Sequence, residues 1–169
     1  MIYGIAAVTA IALALVAVGL TPSRAQEPPP ILIEPLTPRS IFTDQVSGQF
    51  TIRLARSRET IVVNMPDPSR TVVTRITVQP GAQFPWHTHS GPVVVNIAQG
   101  ELTYVPAEDC LPRRYPAGTA FVDPGHGHVH TAVNRTDSAT VFYATFFQVP
   151  AEGPLTILAE APANCRVGR

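Results

Sequence analysis

From about Val46 onward the chain alternates short apolar runs with breaker residues. "SGQFTIRLA", "ETIVVNM", "RTVVTRITVQ", "PVVVNIAQ", "ELTYVPA", "GTAFVDP", "HTAVNRT" and "SATVFYATFFQV" are rich in β-branched and aromatic side chains and fenced by Pro, Gly, Asp or Asn. Such side chains fit a pleated, half-buried surface, so each run predicts a strand. "TVVTRITV" shows the two-residue period directly. Val73, Arg75 and Thr77 share one face, and Val72, Thr74, Ile76 and Val78 share the other. No longer window carries a helical period. Gln99–Gly100, between two runs, reads as a tight hairpin turn. The pattern predicts an all-β domain over residues 46–160, a sandwich or a barrel, with a short tail at 161–169.

Two segments precede it. Ile5 to Leu20 is apolar without a charge and is followed by "TPSRAQ", in which Ser23 and Ala25 flank Arg24. An apolar core ahead of a small-x-small site reads as a signal peptide over residues 1–25, and an uncleaved anchor is the alternative. Either places the folded part outside the cytosol: secreted, periplasmic or held in the cell envelope. The mature form has no membrane segment unless the leader is retained. Residues 26–45 are proline-rich, and prolines lack the N–H that a ladder needs. They predict an extended arm rather than a core element, with a short strand around Ile31 to Ile33.

Charge and composition then narrow the function. Twelve basic residues balance twelve acidic ones, which offers no attraction for nucleic acid or an anionic membrane. All the basic residues are arginine, so lysine Schiff-base chemistry and a lysine phosphate clamp are excluded. Cys110 and Cys165 are an even pair in an exported chain, most simply a disulfide tying the tail to the middle of the domain. The alternative is two unpaired thiols.

Candidate chemistry begins in "FPWHTHSGPVVVN". On a strand, His87 and His89 point to one face with Thr88 turned away, so both imidazoles can reach one ion. Alone, such a pair is also an ordinary rim feature. "GTAFVDPGHGHVHTAVN" supplies a third ring, His130, and closes on Asn134. In order, the first stretch has Gly81, five residues, His87, Thr88, His89, three residues, Val93, six residues and Gly100. The second has Gly118, five residues, Pro124, "GHG" ending at Gly127, two residues, His130, three residues and Asn134.

These stretches resemble the two motifs of the cupin superfamily, G-x5-H-x-H-x3–4-E-x6-G and G-x5-P-x-G-x2-H-x3-N, and the resemblance spans roughly Val72 to Phe147. It implies an antiparallel jelly-roll β-barrel with one metal in its mouth, held by His87, His89 and His130. Two positions depart from the pattern. The family glutamate falls at Val93, which cannot bind a metal, and one extra residue lies between Pro124 and Gly127. Some cupins with histidines only, among them diketone-cleaving and thiol dioxygenases, resemble this arrangement. The implied cofactor is a divalent transition metal (Fe, Mn, Zn, Ni or Cu) with positions open for substrate or oxygen.

The remaining candidates are subsidiary. His128 is an alternative ligand, a group behind the ligands or a solvated strand end, and His126 is a rim residue. Trp86 shapes the entrance or simply packs. Strand parity puts Val93, Val95 and Ile97 on one apolar pocket wall. Asn134 is expected to be structural, and Tyr104, Tyr143 and Arg75 are candidate substrate contacts. No Asp or Glu lies between Phe84 and Ile97, which favours metal-driven oxidation of a small molecule, or simple binding, over acid–base isomerisation. The competing class is a non-enzymatic module that holds a metal or small ligand. A homodimer through the N-terminal arm is a further expectation, by family analogy.

Overall fold

The computed structural model describes residue 27 and residues 29–165. The expected leader at residues 1–25 lies outside them. Among the described residues no helix is long and apolar enough to cross a membrane, and the regular elements are strands. In chain order these are β1 (Ile31–Pro35), β2 (Ser40–Ile41), β3 (Gly48–Ile52), β4 (Ile61–Met65), β5 (Arg70–Val78), β6 (His87–Thr88) and β7 (Val93–Gln99). They continue with β8 (Glu101–Pro106), β9 (Arg113–Pro116), β10 (Ala120–Asp123), β11 (His130–Val133), β12 (Thr140–Phe146) and β13 (Ile157–Leu158).

Two antiparallel sheets face each other. One runs β1-β5-β12-β7-β10, with β2 also on β5, and the other runs β13-β6-β11-β8-β9. β3 and β4 form a separate hairpin. Between the sheets lies a core that includes Val72, Ile76, Val78, Val95, Ile97, Leu102, Phe142 and Phe146. The two-residue period predicted for β5 is present, with Val72, Thr74, Ile76 and Val78 buried and the intervening residues half-buried. This is the all-β jelly-roll architecture, and all eight apolar runs contain a strand.

One expectation is corrected. Gln99–Gly100 is not a hairpin turn, because β7 pairs with β12 and β10 while β8 pairs with β11 and β9. The turn is a corner that carries the chain from one sheet to the other. Gly100 sits at φ +72°, and a Cβ there would come within 2.9 Å of Ala139 O and Thr140 Oγ1, so the corner needs glycine. The short strand expected around Ile31 to Ile33 in the proline-rich arm is present as β1. β1 pairs with β5 along its whole length, from Ile31 opposite Val78 to Pro35 opposite Thr74. Its ladder bonds are made within its own chain.

The sequence did not predict β2, β9 or β13; of these β9 is "RRYP" and lacks an apolar run. It is held instead by Arg113, only 3% exposed, whose guanidinium donates to Ala55 O (2.9 Å), Leu111 O (2.9 Å) and Asp109 Oδ1 (3.0 Å). A buried arginine with its donors satisfied can order a segment that hydrophobic burial cannot.

Cys110 and Cys165 form a disulfide across a sequence separation of 55. In the chain-entropy picture a loop of this length adds about 4 kcal/mol by restricting the unfolded chain. Cys110→Ser should therefore lower the unfolding free energy by about 2–4 kcal/mol in a denaturant titration under oxidising conditions. An unchanged midpoint and slope would contradict this.

Candidate metal centre

The two motif segments meet because the strands carrying them pair. β6 and β11 are antiparallel neighbours, and their register sets His130 opposite His87. The loops beyond them are locked together by hydrogen bonds. His126 N–H donates to His89 O at 2.9 Å, and Gly127 N–H donates to Thr88 Oγ1 at 3.1 Å. Gly125, at φ +60°, lies so close to Gly91 that a Cβ on it would fall 2.0 Å from Gly91 O. The residue inserted between Pro124 and Gly127 is thus absorbed in a left-handed turn, since His126 also has positive φ.

His87, His89 and His130 are all buried, and one nitrogen from each lies within 4.8 Å of the others. Ring centroids are 4.2 Å apart for His87–His130, 4.9 Å for His87–His89 and 5.3 Å for His89–His130. The outward nitrogens fix the tautomers. His87 Nδ1 lies 2.7 Å from Pro85 O and His89 Nδ1 lies 2.8 Å from Leu155 O. A carbonyl only accepts, so each Nδ1 carries the proton and each Nε2 keeps its lone pair. Burial, then the neighbouring His130, pulls His87 down to about 3, and burial also pulls His89 below its ordinary value. Both rings are therefore neutral at pH 7 and have no proton to displace before ligation.

Behind His130 stands Asp123, the last residue of β10, which the sequence reading missed. Its Oδ2 lies 2.8 Å from His130 Nδ1, off the ring's N–H axis, so the contact is one of charge more than an aligned hydrogen bond. Burial alone would raise this carboxyl, but His130 outweighs it, helped by His89 and the Gly125 N–H, and holds Asp123 at about 2. Tyr104 Oη donates to Oδ2 at 3.1 Å, and Gly125 N–H donates to Oδ1 at 2.7 Å. Burial and this carboxylate push the Tyr104 hydroxyl above its ordinary value. Asp123 pairs across the ladder with Val93. A buried negative charge thus lies beside the position where the family glutamate is lacking, directed at a histidine rather than at the shared centre. The sequence signal that could have found it is "VDPG", an acid closing a strand one residue before the motif proline.

The rings open onto a cavity of about 70 Å³ inside the barrel. Val93 and Val95 line it, together with Phe84, Phe121, Phe142 and Phe146. Several expected positions lie elsewhere. Ile97 is buried in the core and does not line the cavity. Trp86 is half-buried outside the lining, where its carbonyl accepts from Ala159 N–H. His128 faces outward and pairs with Glu108 at 2.6 Å, because the turn at Gly127 breaks the strand parity that would aim it inward. His126 is on the exposed rim beside Gln148. Asn134 is structural: its Nδ2 donates to Val78 O and Ser138 O, and its Oδ1 accepts from Thr136. Arg75 pairs with Glu34 outside the barrel, Tyr143 is 39% exposed, and Tyr104 reaches the site through Asp123 and by its ring, 5.0 Å from that of His130.

The donor set fits a divalent transition metal. Three imidazoles converge from one side, two of them held in the Nδ1–H tautomer, and a buried carboxylate stands behind the third. The cupin domain family model matches residues 74–146, the stretch that carries both histidine motifs. That stretch is a cupin domain. None of the curated proteins matches the chain. Among solved structures, a cupin-like protein from Thermotoga maritima shares 22% identity, covers 59% of this chain and 75% of its own, and gives a TM-score of 0.48. The polyketide cyclase RemF from Streptomyces resistomycificus shares 19% identity over 56% of this chain and 63% of its own, with a TM-score of 0.46. The cupin domain of a transcriptional regulator from Enterobacter cloacae shares 16% over 72% and 99%, with a TM-score of 0.47. At these values no activity carries over from them.

Two outcomes follow for the metal-stripped protein and its metal affinity. Between pH 6.5 and about 3 an unfolded His87 binds a proton that the folded one does not. Stability therefore rises with pH across that window and is lost on acidification, by up to about 1.4 kcal/mol per pH unit for each such ring. His89 acts with the same sign, whereas Asp123 acts only below 3.8. Denaturant titrations from pH 7 to 4 should show this loss, and His87→Gln should flatten it; parallel curves would contradict the account. Asp123→Asn should weaken metal binding by about 10- to 100-fold in a chelator competition, and equal affinity would refute its support of His130.

Proposed function

We propose that the protein is exported and that its barrel holds a divalent transition metal on His87, His89 and His130 for oxygen-dependent oxidation of a small molecule. The observation that carries this reading is the convergence of three buried imidazoles in a cavity whose only carboxylate is already engaged. Asp123 is occupied by His130, Tyr104 and Gly125, so among the described residues lining the cavity no carboxylate is free to act as a base. With the three imidazoles engaged as ligands, proton abstraction would lack a free side-chain base.

When bound, the metal would supply a Lewis acid and, for a redox-active ion, an electron path to oxygen. The chain's own residues do the rest. Pro85 O and Leu155 O hold two rings in the ligating tautomer. Phenylalanine and valine walls exclude water and favour an apolar ligand body. The apolar leader and the Cys110–Cys165 disulfide support export, since such bonds persist in oxidising compartments. A second reading, a module that holds a metal or small ligand without turnover, is favoured by the small volume of the cavity.

Elemental analysis of protein from its native compartment tests the site, with oxygen uptake measured beside it. The expected result is on the order of one metal per chain, lost in His89→Ala. Near-zero metal in both proteins would sink the metal reading. Stoichiometric metal without oxygen uptake over a panel of small oxygen-bearing compounds would leave the binding module.

A further inference from the structure

The C-terminal segment crosses the mouth of the barrel directly over the histidines. It leaves the six-stranded sheet at Val149, whose N–H donates to Arg70 O at 3.0 Å, and it rejoins the fold at β13. There Ile157 pairs with Thr88 and Leu158 with His87, on the strand that carries the first ligand. The span between, Pro150 to Thr156, has few ties. Arg39 of the proline-rich arm donates to Pro150 O and Gly153 O, and Leu155 O accepts from His89 Nδ1. Pro150 to Pro154 is exposed, and Gly153 holds φ +90° with open space around it. Only Leu155 and Thr156 turn inward, and both line the 70 Å³ cavity.

A second cavity of about 10 Å³ lies on the other side of His89, walled by Ser90, Phe147, Val149 and Pro150. Three residues border both spaces: His89, Phe146 and Leu155. His89 is held through its carbonyl, which accepts from His126 N–H, and Phe146 by β12. The partition residue on a lightly tied segment is therefore Leu155.

We propose that Leu155 is the access- and size-determining residue of the site, a plug on a lid formed by residues 150–156 that Arg39 holds shut. The proposal rests on the histidine cavity being where ligands bind. Its mechanics belong to the chain and do not require the metal. Moving the Leu155 side chain outward would join the two cavities and open a route past His89. Closing it would return the Leu155 carbonyl to His89 Nδ1 and restore the ligating tautomer. Shutting the lid and setting the ligand would thus be one motion.

The test uses the metal-free full chain with diethylpyrocarbonate, which acylates unprotonated imidazoles, and maps modified peptides by mass spectrometry. His126, exposed on the rim, is the internal reference. Arg39→Ala and Leu155→Ala should each speed acylation of His87 and His130 roughly tenfold relative to His126, because local opening becomes easier. Val95→Ala, which enlarges the cavity from the fixed wall, should not. Equal rates in all proteins, or an equal rise in Val95→Ala, would overturn the lid. Cobalt(II) uptake by the wild-type chain is read in parallel. Absence of uptake with a selective rate rise would remove the metal reading and leave the lid standing, and uptake without the rate rise would do the reverse.

Discussion

Three imidazole lone pairs must face one point while their other nitrogens are satisfied, and the rest of the structure answers to that constraint. Buried imidazole N–H groups without partners would each be costly. Here Pro85 O and Leu155 O take those roles for His87 and His89, while Asp123 stands beside His130 Nδ1 as a charge off its N–H axis. Each partner comes from a different part of the chain: the approach to β6, the C-terminal crossing segment and the end of β10. The fold is what brings them within reach. The glycine contact between Gly91 and Gly125 and the β6–β11 pairing set the spacing to which the side chains then conform.

The electrostatics follow from the same arrangement. Desolvation holds His87 and His89 neutral, which is the ligating state, and it would hold Asp123 neutral too were His130 not beside it. One negative charge thus lies inside an otherwise apolar barrel, saturated by a tyrosine hydroxyl and a backbone N–H. That distribution matches a centre that welcomes positive charge and whose lining carboxylate is already engaged. A valine at position 93 leaves the cavity wall apolar where the family pattern has a carboxylate, and Asp123, its ladder partner, places the charge one step back.

Much of this was legible in the sequence, for identifiable reasons. Strands that bury one face write a two-residue period, so β5 could be read residue by residue. The histidines were visible because ligand spacing is local within each motif. What was hidden depends on pairing across the chain. The Gln99–Gly100 corner looked like a hairpin because a tight glycine turn is the same locally, whether or not the flanking strands pair. β9 left no apolar trace because an arginine holds it. The readings of His128 stayed open because its direction depends on where the Gly127 turn ends and β11 begins. Asp123 and Leu155 were missed because a carboxylate or a carbonyl that serves a histidine far along the chain carries no signature near it.

The most direct test of the converging lone pairs is a long-range proton–nitrogen correlation spectrum of the histidine rings, with and without one equivalent of zinc. The account predicts the Nδ1–H tautomer for His87 and His89 in the metal-free chain, and a joint shift of Nε2 in His87, His89 and His130 that saturates at one equivalent. An Nε2–H tautomer at either of the first two rings, or shifts confined to His126 and His128, would contradict it.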